Sequence, residues 1–380
     1  MSTPRLYLDD LGSAPLLEAA RQARLEAPVG NPQSIHREGR AARAALDQAR
    51  DRAAAALERT ALDLVFCGSG TEAVNLALLG AGRRLPPGRS VVTWEAEHPS
   101  VLAAVRRLGL EGVPVRVLPV DAGCRPDPAA IPDGAGLVST SMANSEVGTL
   151  QPVAEIAARA HALGALVHVD CCQGARWLPP PVQEADFASF SGHKLGAGGG
   201  GLLYGDHEVL LEPLQVGGPQ EFGRRAGHLD AGLATAVAAV LEETAKRRAV
   251  EARRVAPLAD RLRVALVELG GEPVGAAPRL PNIATAAFGD RRGEDMLLSL
   301  DLAGVAASSG AACAAGSLDP SVVLLAMGRS LAEAEGSLRL SVGYETKEAE
   351  VEAAIAILRA TLTPRAASAA SAEAGAPSPP

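Results

Sequence analysis

Aromatic side chains make up only 3% of this 380-residue chain: two Trp, three Tyr and five Phe. Its core must therefore be built mainly from aliphatic groups at close spacing. Cysteine is scarce too, and five residues, an odd number scattered over a long chain, do not read as a disulfide framework. Basic runs interleaved with aromatics are missing, and a net charge of -8 with a pI of about 5.5 argues against a nucleic-acid or membrane-surface role. The longest apolar stretches, such as Val322–Met327, fall far short of the roughly 20 residues of a membrane span. Met1–Asp10 lacks the apolar core of a signal peptide, so a reducing cytoplasm is the expected setting.

What remains is an ordinary globular balance, 47% hydrophobic and 21% charged, over a length that allows two or three cores. Short β-rich runs (Leu64–Cys67, Ser90–Trp94, Val115–Val120, Leu137–Ser141, Leu166–Asp170, Phe187–Ser191, Gly201–Tyr204) alternate with Ala/Leu-rich segments of helical period. That alternation predicts an α/β fold with a mostly parallel seven-stranded sheet covered on both faces. In such a sheet ligands bind beyond the carboxyl ends of the strands. A helix over about Ala231–Leu269 then leads to shorter strands and helices that suit a smaller α+β domain. The expected division is a large domain over 15–255 and a small one over 1–14 and 256–362. Residues 363–380, mostly Ala, Ser, Pro and Gly, cannot bury apolar surface and read as a disordered tail.

Polar residues just past the strand ends are where chemistry is to be sought. Ser191-Gly192-His193-Lys194 closes one run and precedes Gly196–Gly201, so a planar ligand can approach the lysine closely. Partial burial would favour its neutral amine, which forms Schiff bases. Asp170 closes another run; as a buried carboxylate it needs a cationic partner such as a pyridinium nitrogen, although a helix cap is the plainer role. Gln173, three residues on, is placed to reach the oxygen of such a ring. Cys67-Gly68-Ser69-Gly70-Thr71-Glu72, between a strand and a helix, can offer backbone N–H groups and a helix N-terminus to a phosphate. His98 follows Ser90–Trp94 and could stack on a ring and move protons; Asn144 holds the equivalent place after Leu137–Ser141. Cys313 lies among small residues in Ser308–Ser317, a segment with little to pack, and a mobile thiolate there is a candidate nucleophile. Arg339, on an expected strand, can grip a carboxylate in a bidentate manner.

In this order, and with Gly30-Asn31-Pro32-Gln33-Ser34-Ile35-His36 ahead of them, the segments resemble the cysteine desulfurases, a branch of the class V aminotransferases. The resemblance runs from Tyr7-Leu8-Asp9 to about Leu362 and implies the fold-type I pyridoxal-phosphate architecture. It implies that Lys194 carries pyridoxal 5'-phosphate, that Asp170 meets the ring nitrogen and Gln173 the ring oxygen, and that His98 stacks on the ring. Gly70, Thr71, Ser191, His193 and His228 would hold the phosphate, Asn144 would contact cofactor and substrate, and Arg339 would bind the substrate carboxylate. Cys313 would take sulfur from L-cysteine as a persulfide, leave L-alanine, and pass the sulfur to an acceptor protein for iron–sulfur clusters or thio-cofactors. A homodimer is implied as well. The chain departs from the family pattern at Asp10-Leu11-Gly12-Ser13-Ala14, at Phe222, where an arginine is usual, and at His228, which replaces a threonine that normally reaches the neighbouring subunit's phosphate. Those departures keep open a selenocysteine lyase, an epimerase or an aminotransferase on the same cofactor, or a catalytically silent partner protein.

Overall fold

A computed structural model describes residues 5–310 and 319–363. In chain order its strands are β1 (Leu6–Tyr7), β2 (Leu64–Cys67), β3 (Ser90–Trp94), β4 (Val115–Leu118), β5 (Ala135–Ser141), β6 (Leu166–Asp170), β7 (Phe187–Ser191), β8 (Gly201–Gly205), β9 (Glu272–Pro273), β10 (Ile283–Ala287), β11 (Val305–Ala306) and β12 (Ser337–Ser341). The main sheet has seven strands in the order β2-β8-β7-β6-β5-β3-β4, parallel except for β8, which runs antiparallel to both its neighbours. This is the expected α/β architecture. Within this sheet β4 falls short of its expected extent: it ends at Leu118, because the chain then folds into a turn in which Asp121 accepts from the amides of Gly123 and Arg125.

Alternation along the strands explains how both faces are filled. Val91, Leu137, Phe187 and Leu203 turn to one side and pack with helices Gly70–Gly82 and Pro99–Leu110. Val92, Val138, Ala188 and Leu202 turn to the other, toward the helices Arg37–Leu57 and Ala231–Glu268. Period-two alternation with both faces covered is why these strands read as continuous apolar runs. The few aromatics go to the centre: Trp94, Trp177, Phe187, Phe190 and Phe288 are all fully buried.

A second, antiparallel sheet, β12-β10-β9, forms from the C-terminal part of the chain. The N-terminus joins that part, since β1 pairs in parallel with β11 and Asp9 bridges to Ser341. The helix Ala231–Glu268 serves both regions and packs on β10 as well as on the helices Glu18–Glu26 and Arg37–Leu57. It is buried at Ala231–Thr244 and again at Val255–Leu266. Between these stretches the ion pairs Glu243–Arg247–Glu251–Arg254, at helical spacing, hold a solvent-facing span.

Beside β2 lies a buried ion pair. Arg50 donates to Glu221 through both terminal nitrogens and to the Leu64 carbonyl at 2.7 Å, and the Phe66 amide donates to Glu221 Oε2 at 2.6 Å. Glu221 and Phe222 both have positive φ, +48° and +57°, an uncommon region for residues with a Cβ, so this pair secures a strained turn. Glu221→Ala would strand a buried guanidinium and an amide, at a cost of about 3–5 kcal/mol. Denaturant unfolding should show that loss, and Arg50→Leu combined with Glu221→Ala should restore part of it.

Candidate active site

Four parallel strands deliver their carboxyl ends to one crevice. β3 has β4 on one side and β5 on the other, which makes the β3/β5 gap the topological switch point where α/β sheets bind ligands. A cavity of about 150 Å³ opens there, lined among others by Gly70, Thr71, His98, Asn144, Asp170, Gln173, Ser191, His193 and Lys194. Nine residues singled out in the sequence, from five separate segments, thus share one space.

One end of it is formed by a helix N-terminus. Ser69 caps the helix Gly70–Gly82, its hydroxyl accepting from the Glu72 amide, and the helix N-terminus faces the cavity. Gly70 is packed so closely that a Cβ would come within 2.8 Å of Ser191 Cβ and 2.9 Å of Cys172 Sγ. Ser191 Oγ and His193 Nδ1 lie 2.8 Å apart. Burial, then Lys194 and His98, hold the His193 imidazole below its ordinary pKa, so it stays neutral near pH 7.

Lys194 and Asp170 line the same cavity. Lys194 Nζ donates to the carbonyls of Leu11 at 2.5 Å and Gly12 at 2.7 Å, and Gln173 Nε2 also donates to Leu11 O at 3.3 Å. The N-terminal segment that departs from the family pattern therefore seats the lysine. Asp10, fully buried there, faces Arg176 at 3.4 Å, and burial pushes its carboxyl up to about 6.

His98 caps the helix Pro99–Leu110: its Nδ1 accepts from the Ser100 amide at 3.1 Å. In a neutral ring this places the proton on Nε2. Glu97, beside it, is buried; Oε1 accepts from Ser141 N at 2.8 Å while Oε2 has no hydrogen-bond partner among the described residues. Burial, and next the nearby Asp170, push its carboxyl up to about 8. Asn144 Nδ2 donates to Ala96 O, and its Oδ1 accepts from the amides of Glu146 and Val147. This is the turn-forming role, and it leaves one amide N–H for a ligand.

Two expected ligands lie off this cavity. Arg339 is buried, with Nη2 donating to Asp9 Oδ1 at 3.0 Å and Nη1 to Ser145 O at 2.8 Å. His228 lines a separate cavity of about 550 Å³ with Asn31, Gln33 and Gln215. Cys313 and the tail from 364 onward lie outside the described residues. The described residues on either side of the Cys313 segment are anchored near one another: Ser308 pairs with Arg339, Ser321 Oγ donates to Glu146 Oε2 at 2.5 Å, and Gly310 abuts that same oxygen. Burial pushes the Glu146 carboxyl up to about 7. Glu97, Glu146 and His168 were not singled out from the sequence. The available signal was position: Glu97 adjoins His98, Glu146 follows Asn144 by two, and His168 precedes Asp170 by two on one strand face.

Comparison with known proteins agrees with this architecture. The family model described as Aminotransferase class-V matches residues 6–354. The chain is 36% identical to a putative cysteine desulfurase IscS 1 of Bacillus subtilis, over 92% of this chain and 96% of that protein. It is also 36% identical to an IscS-like cysteine desulfurase of Mycobacterium tuberculosis, over 97% and 99% of the two chains. Among solved structures, a NifS-like protein superposes with a TM-score of 0.85 at 27% identity, over 93% of this chain and 97% of that one.

The raised carboxyls give the chain a defined pH response. Glu97 binds its proton more tightly folded than unfolded, so its contribution to stability is complete below the unfolded value near 4.5 and is lost as pH rises through about 8. Asp10 and Glu146 act in the same direction at lower pH. Thermal melts of Glu97→Gln should match the parent near pH 4 and exceed it increasingly toward pH 8.5. A difference that does not grow with pH would mean that Glu97 does not carry the buried proton.

Proposed function

Because the chain belongs to the class V aminotransferase family, we propose that it is a pyridoxal-phosphate-dependent cysteine desulfurase, converting L-cysteine to L-alanine and leaving the sulfur on Cys313 as a persulfide. One observation carries this reading: Lys194 and Asp170 line a single cavity whose end is a helix N-terminus.

The residues fit the cofactor. The anion end, with the Gly70 amide region, Thr71, Ser191 and His193, suits its phosphate; a side chain at position 70 would fill that cradle. Asp170 suits the ring nitrogen, Gln173 the ring oxygen, and His98 a face of the ring. Bound pyridoxal phosphate supplies an electron sink that makes the substrate's α-proton removable. Lys194 is the group to take that proton at Cα and return it, since its amine lines the cavity and would leave its backbone acceptors for the substrate. Asn144, through its remaining amide N–H, and Arg339, on leaving Asp9, would orient the carboxylate. His98, with its ring held by Ser100, would hold the proton exchanged with the thiol.

The sulfur step balances as the Cys313 thiol plus L-cysteine giving the Cys313 persulfide plus L-alanine. The thiolate attacks the substrate sulfur, the carbon–sulfur bond breaks, and a proton returns to carbon. Support for this role comes from the flanks of the segment, with Ser308 held by Arg339 and both Gly310 and Ser321 against Glu146. An acceptor protein would then take the sulfur, and His228 and Phe222 would act across a homodimer. We also assign 15–255 to the cofactor domain and 1–14 with 256–362 to the small domain.

Incubation with L-cysteine and a reductant should release alanine and sulfide in equal amounts. Cys313→Ser should abolish both while the bound cofactor's visible band persists, and Lys194→Ala should remove that band. Mass spectrometry after a brief cysteine pulse should find one added sulfur atom on Cys313. Alanine release unaffected by Cys313→Ser would overturn the persulfide route.

A further inference from the structure

Asp170 is not held by its own turn alone. Its Oδ1 accepts from the Cys172 amide at 2.9 Å and from Ser189 Oγ at 3.4 Å. Ser189 Oγ lies 3.2 Å from His168 Nε2, and His168 Nδ1 lies 2.9 Å from Ser139 Oγ. All three of these partners are fully buried, at 0% exposure. The register sets this up: Ser139 faces His168 across β5/β6, Asp170 faces Ser189 across β6/β7, and His168 and Asp170 are two apart on one side of β6.

We infer that Ser139, His168 and Ser189 form a one-way hydrogen-bond chain that orients Asp170 toward the cofactor's ring nitrogen, with His168 and Ser189 as positioning residues for that contact. The direction follows from the end of the chain. A carboxylate can only accept, so the Ser189 hydroxyl donates to Asp170 and must accept from His168. His168 therefore carries its proton on Nε2 and takes one from the Ser139 hydroxyl at Nδ1. Burial pushes His168 down to about 4, which keeps the ring neutral near pH 7 and so keeps this polarity fixed. Both donors fall on Oδ1, so neither competes for Oδ2. Each link also polarises the next, and a chain ending on a charged group weakens when any member is removed.

The assignment rests on reading Asp170 as the ring-nitrogen partner, and the test separates the two. Pyridoxal phosphate is titrated into the chain and into His168→Phe, Ser189→Ala and the double variant, following the equilibrium constant and the pH midpoint of the lysine-bound visible band. Each single variant should bind about tenfold more weakly, the factor for one hydrogen bond to a charged group. Its band midpoint should move, and the double variant should be no worse than the singles, because either break severs the same chain. If His168→Phe does not fold, Ser189→Ala decides by itself through affinity and midpoint. Parent-like affinity and midpoint, or losses that multiply in the double variant, would overturn the chain. A parent that does not bind pyridoxal phosphate would instead overturn the reading of Asp170, and the chain with it.

Discussion

Parallel pairing of β3, β5, β6 and β7 between two layers of helices is the constraint from which the site follows. With both faces covered, the backbone satisfies itself laterally, and the side chains along these strands are apolar or, like Ser139, His168 and Ser189, hydrogen-bonded to one another. Polar groups that are to meet a ligand can emerge only where the strands stop. Glu97 and His98, Asn144, Asp170 and Lys194 stand at or just beyond those ends, and the change of direction around β3 leaves the crevice that separates their chains. The same geometry turns the helix Gly70–Gly82 end-on, so that its N-terminus faces the crevice.

Burial then sorts the ionisable groups around that crevice. It raises Glu97 and Glu146 into the neutral range and lowers His168 and His193. Both effects disfavour charge, and together they keep charge at the centre to the few groups that have a stated partner. Asp170 is provided with donors, while the Lys194 amine is provided with carbonyls. A site arranged in this way suits a planar cofactor with one cationic nitrogen and one reactive carbonyl.

The lysine's acceptors tie the site to the rest of the molecule. Leu11 and Gly12 sit on a segment that begins in the β1/β11 pair, where Asp9 receives Arg339 and Asp10 faces Arg176. It continues through backbone bonds from Ala14 to His193 and from Leu17 to Gly196. A shift between the two sheets would therefore move the groups around Lys194. That coupling gives the unusual Asp10–Ala14 stretch a physical role, as the cover of the lysine.

The strands of the main sheet could be read from the sequence nearly to the residue, since fully buried strands announce themselves as short β-branched runs between Gly, Pro and Asp. That Lys194, Asp170, His98 and Ser191 would gather at one end of the sheet could be read as well, because strand ends in such a sheet are where polar residues have a reason to stand. β1 and β11, of two residues each, carried no period to detect, and their pairing spans some 300 positions. Composition and local order determined the class of fold and the chemical types available. Only the tertiary structure decided that Glu97 is sealed from water, that Arg339 rests on Asp9, and that Ser139, His168 and Ser189 line up behind Asp170. Those facts depend on strand register and on what covers each group, and register is set by long-range packing that no local stretch of residues encodes.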